Sequence, residues 1–187
     1  MYQDLIISGF GGQGILAIGR LLAYAAMSEE KYVTFLPSYG PIMRGGTANC
    51  TVVVSSKPVG SPIVRNPRFA ILMNVPSVVS FEERVKTGGL VLYNSDLVDK
   101  TNSNREDVDK VFIPANKLAE EMGSGRVANM VLTGAFIEIT SIVALESAVR
   151  CLGEIVSEKH IDLMHADEAA LRKGSVFARD GVLEKRQ

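Results

Sequence analysis

Gly9, Gly11 and Gly14 form a G-x-G-x-x-G turn between a short apolar run and an amphipathic segment. That spacing suits an anion. Glycine lets the backbone approach a ligand closely, and the start of a helix supplies unpaired N–H groups and the positive end of its dipole. A phosphate or a carboxylate is the natural guest. The same glycines also serve tight packing of a strand against a helix, and the motif alone does not separate the two readings.

A dinucleotide site makes a further demand, an acidic residue at the end of the second strand to bind the ribose hydroxyls. The chain has Phe35-Leu36-Pro37-Ser38 there, and its nearby acids, Glu29 and Glu30, precede that strand. A free-standing NAD-binding enzyme therefore stands as an alternative reading that lacks its acid. A phosphate loop of the Walker A type is absent, because no Gly-Lys-Ser/Thr follows the glycines. Cys50 and Cys151 are the only cysteines, too few for a four-cysteine iron–sulfur cluster. They are expected to be buried thiols, with a disulfide between them left open. His160 and His165 sit five apart on an expected helix, which places them on different faces and disfavours a shared metal. No catalytic residue and no metal ligand is identified. Glu138 lies in an apolar helix without a named partner.

These residues need elements to position them. Leu5-Ile6-Ile7-Ser8 reads as a buried strand, and Ile15–Met27 as a helix with Ile15, Ile18 and Leu22 on one stripe. Further strands are expected at 32–36, 47–55, 69–73, 90–93 and 111–113, with helices at 77–86 and 116–122. Residues 126–151 read as mostly helical, and 160–173 as a last helix that Gly174 caps. The stretch 99–110 is polar and expected to be exposed. Strands alternating with helices give a Rossmann-like three-layer α/β domain, with a mostly parallel sheet and additional C-terminal helices. Residues 1–187 are read as a single domain whose helical part starts at about residue 126.

The composition is that of an ordinary folded domain, 47% hydrophobic and 22% charged, with 20 basic and 21 acidic side chains. That balance lacks the basic footprint of a nucleic-acid-binding protein. No signal peptide is apparent. The longest apolar stretch, 127–145, is interrupted by Thr133, Glu138, Thr140 and Ser141, so a cytoplasmic chain without a membrane span is expected.

Three segments together resemble the gamma subunit of 2-oxoacid:ferredoxin oxidoreductases. They are Gly9-Phe10-Gly11-Gly12-Gln13-Gly14, the run from Ser38 through Arg44-Gly45-Gly46-Thr47-Ala48-Asn49-Cys50, and Ala128-Asn129-Met130 with Gly134. The resemblance runs from Asp4 to about Gly174, and the Arg44–Cys50 form is closest to the 2-oxoglutarate type. Branched-chain and pyruvate types remain open, since the resemblance puts the oxoacid pocket on other subunits. It departs from the family at Asp167-Glu168-Ala169, where an Asn is usual, which puts a role for Asp167 in doubt.

The resemblance implies oxidative decarboxylation of a 2-oxoacid, with the acyl group passed to coenzyme A and electrons to ferredoxin. It implies that thiamine diphosphate, Mg and iron–sulfur clusters reside on alpha and beta partner subunits, with or without a delta (ferredoxin-like) subunit. The isolated chain is expected to be inactive and able to homodimerise. For this chain it suggests coenzyme A as ligand at a turn that includes Gly9, with Gly11, Gly12 and Gly14 exposing N–H donors and Gln13 adding an amide. Arg44, flanked by Gly45 and Gly46, would reach a phosphate with its planar fork. Asn129 would cap a helix or touch the same ligand. Pairing of Arg44 with a carboxylate across a subunit interface, and a pure assembly role for the whole chain, are the competing readings.

Overall fold

The computed structural model describes residues 1–39, 47–155 and 161–183. Its strands are β1 (Tyr2–Phe10), β2 (Tyr32–Tyr39), β3 (Thr47–Ser55), β4 (Phe69–Leu72), β5 (Leu90–Asn94) and β6 (Asp109–Ile113). Its α-helices are α1 (Ile15–Ser28), α2 (Val75–Phe81), α3 (Ala115–Glu121), α4 (Ala128–Thr140), α5 (Leu145–Arg150) and α6 (Ile161–Ala178).

The six strands form one sheet in the order β2-β3-β1-β4-β5-β6. Pairings β1–β4, β4–β5 and β5–β6 are parallel, while β3 runs antiparallel to both of its neighbours. Parallel β4 and β5 are joined by a crossover through α2, β5 and β6 through a connection that holds a 3₁₀ turn at Lys100–Asn102, and β3 reverses because only a short connection separates it from β2. This is the Rossmann-like α/β arrangement with C-terminal helices that the sequence suggested, modified by one strand inserted between β1 and β2.

Burial on both faces explains why β1 reads as a continuous apolar run rather than an alternating one. Leu5 and Ile7 point into the larger core, with Ile18 and Leu22 of α1 and Val131 and Phe136 of α4. Ile6 points the other way, into a smaller core with Val78 of α2, Val85 and Tyr93. The Phe69 and Phe136 rings meet edge to face at 5.6 Å, tying α4 to the sheet.

Several boundaries differ from the expected ones, each for a local reason. The helix expected at 77–86 begins earlier, because Asn74 caps it, and gives way to a 3₁₀ turn at Glu82–Arg84. The helical stretch from 126 breaks at Ser141, which takes a left-handed backbone at φ 49° and separates α4 from α5. The last helix does not stop at Gly174. It continues to Ala178, and Gly174 sits inside it at a close crossing with α4. In the polar stretch 99–110, Ser103 and Val108 are buried, and Asp109 and Lys110 belong to β6. Glu138 does have partners: Arg179 at 3.0 Å and the Ser175 hydroxyl at 2.5 Å.

Candidate functional site

From the end of β1 the chain passes through α1 to β2 on one side, while β4 lies on the other side of β1. Such a reversal opens a crevice at the carboxyl ends of the two parallel strands, where α/β sheets bind their ligands. The glycine turn occupies that crevice.

The turn is closed by Gln13 N–H donating to the Phe10 carbonyl at 3.1 Å. Gly14 then stands at the N-cap of α1 with φ 73° and ψ 22°, a left-handed conformation that side chains rarely adopt. Its carbonyl accepts the N–H groups of Ala17 and Ile18 at 3.0 and 3.2 Å, which starts the helix. No side chain caps α1, and no acidic residue lies in its first turn. The N–H groups of Ile15 and Leu16 remain as the unpaired donors of a first turn. Among the described residues, no hydrogen bond engages the N–H of Gly12 or Gly14 either.

The neighbouring helices that start at this edge are different. Asn74 Oδ1 accepts Ser77 N–H at 2.9 Å in α2, and Asp96 Oδ2 accepts the N–H groups of Asn116 and Lys117 at 2.7 and 3.0 Å in α3. Of the three, α1 is the one whose donors and dipole are left for an external anion.

Asn129 comes to this turn, but not as a cap. It lies within the first turn of α4, whose N-cap is Val127, and its Nδ2 donates to the Gly14 carbonyl at 3.5 Å. A β-carbon at Gly14 would lie 2.3 Å from that Nδ2, so the two residues are fitted against each other. Gln13 turns its side chain inward: Oε1 accepts Phe10 N–H at 2.6 Å and Asn74 Nδ2 at 3.2 Å. Gly9 sits beneath it in β1, buried.

The structure thus brings Gly9, Gly11, Gly12, Gln13, Gly14 and Asn129 together. Arg44, Gly45 and Gly46 lie outside the described residues, as does His160. The strand that follows them starts at this same edge, where Thr47 pairs with Phe10 and Ala48 with Gly9. Sequence reasoning missed Asn74, Ser77 and Ser8. The hint was available in Asn74-Val75-Pro76-Ser77, an N-cap residue followed by Pro in the first helical turn.

The inserted strand weakens the dinucleotide reading further. With β3 between β1 and β2, the tip of β2 stands two strand spacings, about 10 Å, from the glycine turn rather than one. A wide-open hollow of about 480 Å³ lies elsewhere, at the amino end of β1 between Tyr2, Asp4, Arg65, Asn66 and Lys86. It faces strand starts and no helix N-terminus. Asp4 there is committed to structure: it accepts Arg68 N–H at 2.6 Å, with Lys86 at 3.5 Å.

Both cysteines are free and buried. Among the described residues no group of acids, cysteines and histidine is placed to hold a metal, and no helix is long and apolar enough to cross a membrane.

Fold and turn together define a Rossmann-like α/β domain with an open, uncapped glycine turn at its switch point. The chain belongs to the pyruvate ferredoxin/flavodoxin oxidoreductase family, whose model matches residues 4–176. It is 40% identical over 179 residues to ketoisovalerate oxidoreductase subunit VorA of Methanothermobacter thermautotrophicus, covering 94% of this chain and 36% of that protein. It is 35% identical over 154 residues to 2-oxoglutarate synthase subunit KorC of Methanocaldococcus jannaschii, covering 81% of this chain and 82% of that one. In structure it is similar to the gamma subunit of a keto/oxoacid ferredoxin oxidoreductase from Geobacter sulfurreducens. The TM-score is 0.84 at 26% identity, over 96% of this chain and 98% of that one. The chain spans about a third of the length of the ketoisovalerate oxidoreductase relatives it matches.

Proposed function

We propose that this chain serves as the gamma subunit, a single domain over residues 1–187, of a cytoplasmic 2-oxoacid:ferredoxin oxidoreductase. The complex would carry out oxidative decarboxylation of a 2-oxoacid to an acyl-coenzyme A, with ferredoxin as electron acceptor. Alpha and beta subunits, with or without a delta subunit, would hold the thiamine diphosphate, Mg and iron–sulfur clusters. This chain would help to position coenzyme A. The observation that carries the coenzyme A role is the uncapped start of α1, where the N–H groups of Gly12, Gly14 and the first helical turn have no partner among the described residues. A phosphate of coenzyme A supplies the missing acceptor. Arg44, on the segment that precedes β3 in the sequence, would add a positive charge.

Two substrate readings have support. The Arg44–Cys50 segment favours 2-oxoglutarate, and the 40% identity to a ketoisovalerate oxidoreductase subunit favours a branched-chain oxoacid. The test is to purify the native complex through a tag on this chain. It is then assayed with 2-oxoglutarate, ketoisovalerate and pyruvate, with and without coenzyme A. Coenzyme A-dependent reduction of ferredoxin is expected, and the preferred oxoacid names the enzyme. A chain recovered alone that binds NAD and turns over no oxoacid would overturn the proposal.

A further inference from the structure

We propose that Asn74 is a positioning residue: it locks the Gln13 amide with its oxygen inward, so that both Nε2 donors are presented to the anion at the glycine turn. The inference rests on the reading that this turn receives coenzyme A. Amide orientation is decided here by groups that can only donate. Ser77 N–H approaches one side-chain atom of Asn74 at 2.9 Å, so that atom must be the oxygen Oδ1. The Nδ2 group of Asn74 then faces the other way, where it meets the Gln13 side chain at 3.2 Å. Phe10 N–H meets the same Gln13 atom at 2.6 Å. Two donors converging on one atom require it to be Oε1, and Nε2 is turned outward. It has no hydrogen-bond partner among the described residues.

The lock extends inward as a chain with a single direction. The Ser8 hydroxyl, which also lies 3.4 Å from the Ala48 carbonyl, makes its shorter bond by donating to Ser77 Oγ at 2.9 Å; the Ser77 hydroxyl donates to Asn74 Oδ1 at 2.8 Å, and Asn74 Nδ2 to Gln13 Oε1. Ser8 and Ser77 are fully buried and Asn74 is 3% exposed, so water does not compete for these bonds. Hydrogen bonds aligned head to tail polarise one another, which strengthens the outermost donor. That donor stands beside the free N–H groups of the turn. The combination suits an anion and rejects a cation.

Asn74→Asp tests the lock in the full chain, alone and in the complex recovered with it. Aspartate keeps a capping oxygen for Ser77 N–H but turns a second oxygen toward Gln13 Oε1. The Gln13 amide must then flip, and Phe10 N–H loses its acceptor. Expected are amide exchange at Phe10 at least about tenfold faster by NMR, and coenzyme A binding about tenfold weaker by calorimetry. Gln13→Glu is the complementary variant. It keeps an oxygen for Phe10 N–H and Asn74 while replacing the outward donor by an anionic oxygen. Phe10 should stay protected while coenzyme A affinity falls by about tenfold or more.

Unchanged Phe10 exchange in Asn74→Asp, or natural coenzyme A affinity in both variants, overturns the proposal. If Asn74→Asp does not fold, Gln13→Glu carries the test by itself. If the natural chain binds no coenzyme A in either form but Asn74→Asp still frees Phe10, the lock stands and the coenzyme A reading falls.

Discussion

Gly134 of α4 and Gly174 of α6 face each other where the two helices cross. A β-carbon on Gly134 would lie 1.9 Å from the Leu171 carbonyl oxygen, and one on Gly174 would lie 1.9 Å from the Val131 carbonyl oxygen. The contact is reciprocal: each glycine sits against the carbonyl of the residue three positions before the other. Backbones this close allow Cα–H···O contacts along the crossing. This crossing packs α6, the last long helix, against the helix whose first turn braces Gly14.

Alanine at either glycine gains about 1 kcal/mol of helix propensity, but the clash is with rigid backbone and the helices must separate. A net loss of about 2–3 kcal/mol is expected in urea unfolding. The double variant should lose less than the sum of the singles, because the first separation already makes room for the second methyl. Additive losses would mean that the two positions do not share one crossing.

Gly14→Ala should cost about 2 kcal/mol or more, from strain at φ 73° together with the clash against Asn129. Asn129→Ala removes the clashing Nδ2 but not the backbone strain. A double-mutant cycle by chemical denaturation should therefore show partial relief, about 1 kcal/mol of favourable coupling. Complete rescue would place all of the cost in the side-chain contact.

Asp167 lies in α6 one turn before Leu171, and burial raises its carboxyl to about 6. The unfolded chain ionises first, so the native state holds the extra proton between the ordinary carboxylate value and about 6. This group's contribution to stability therefore falls as pH rises through that window and stays low above it. Asp167→Asn should raise Tm at pH 8 and leave it nearly unchanged near pH 4. Partial exposure keeps the gain to about 1 kcal/mol, or about 2–4 °C for a chain of this size. Thermal melts at the two pH values decide it. An equal gain at both would remove the carboxyl's ionisation as the cause.

Cys50 packs between β3 and α1, and burial pushes its thiol up to about 12. It should resist iodoacetamide at pH 8 in the folded chain and react once the chain is unfolded by urea. Mass spectrometry of tryptic peptides reads this directly. Rapid labelling in the native state would mean that the β3–α1 interface opens.

Much of the fold was legible because its signals are local. The apolar run at Leu5-Ile6-Ile7 needs only burial on both faces, and the strand–glycine–helix order from Leu5 to Met27 announces a βα unit with a turn fit for an anion. The glycine pattern also determined which residues to look at, and it lay within a wider resemblance that the family match extends over residues 4–176.

Other decisions belong to the tertiary structure. Whether Gly174 ends a helix or lies inside one depends on Val131 in a different helix, because helix C-terminal glycines and crossing glycines look alike in sequence. The insertion of β3 between β1 and β2 depends on strand pairing, which short apolar runs do not encode one by one. The direction of the Gln13 amide is set by Asn74, sixty-one residues away, and by the N–H of Phe10 beside it. Periodicity and propensity act between near neighbours, so they name the elements and the glycine turn. Close crossings, strand order and hydrogen-bond direction are fixed only when distant segments compete for the same space and the same acceptors.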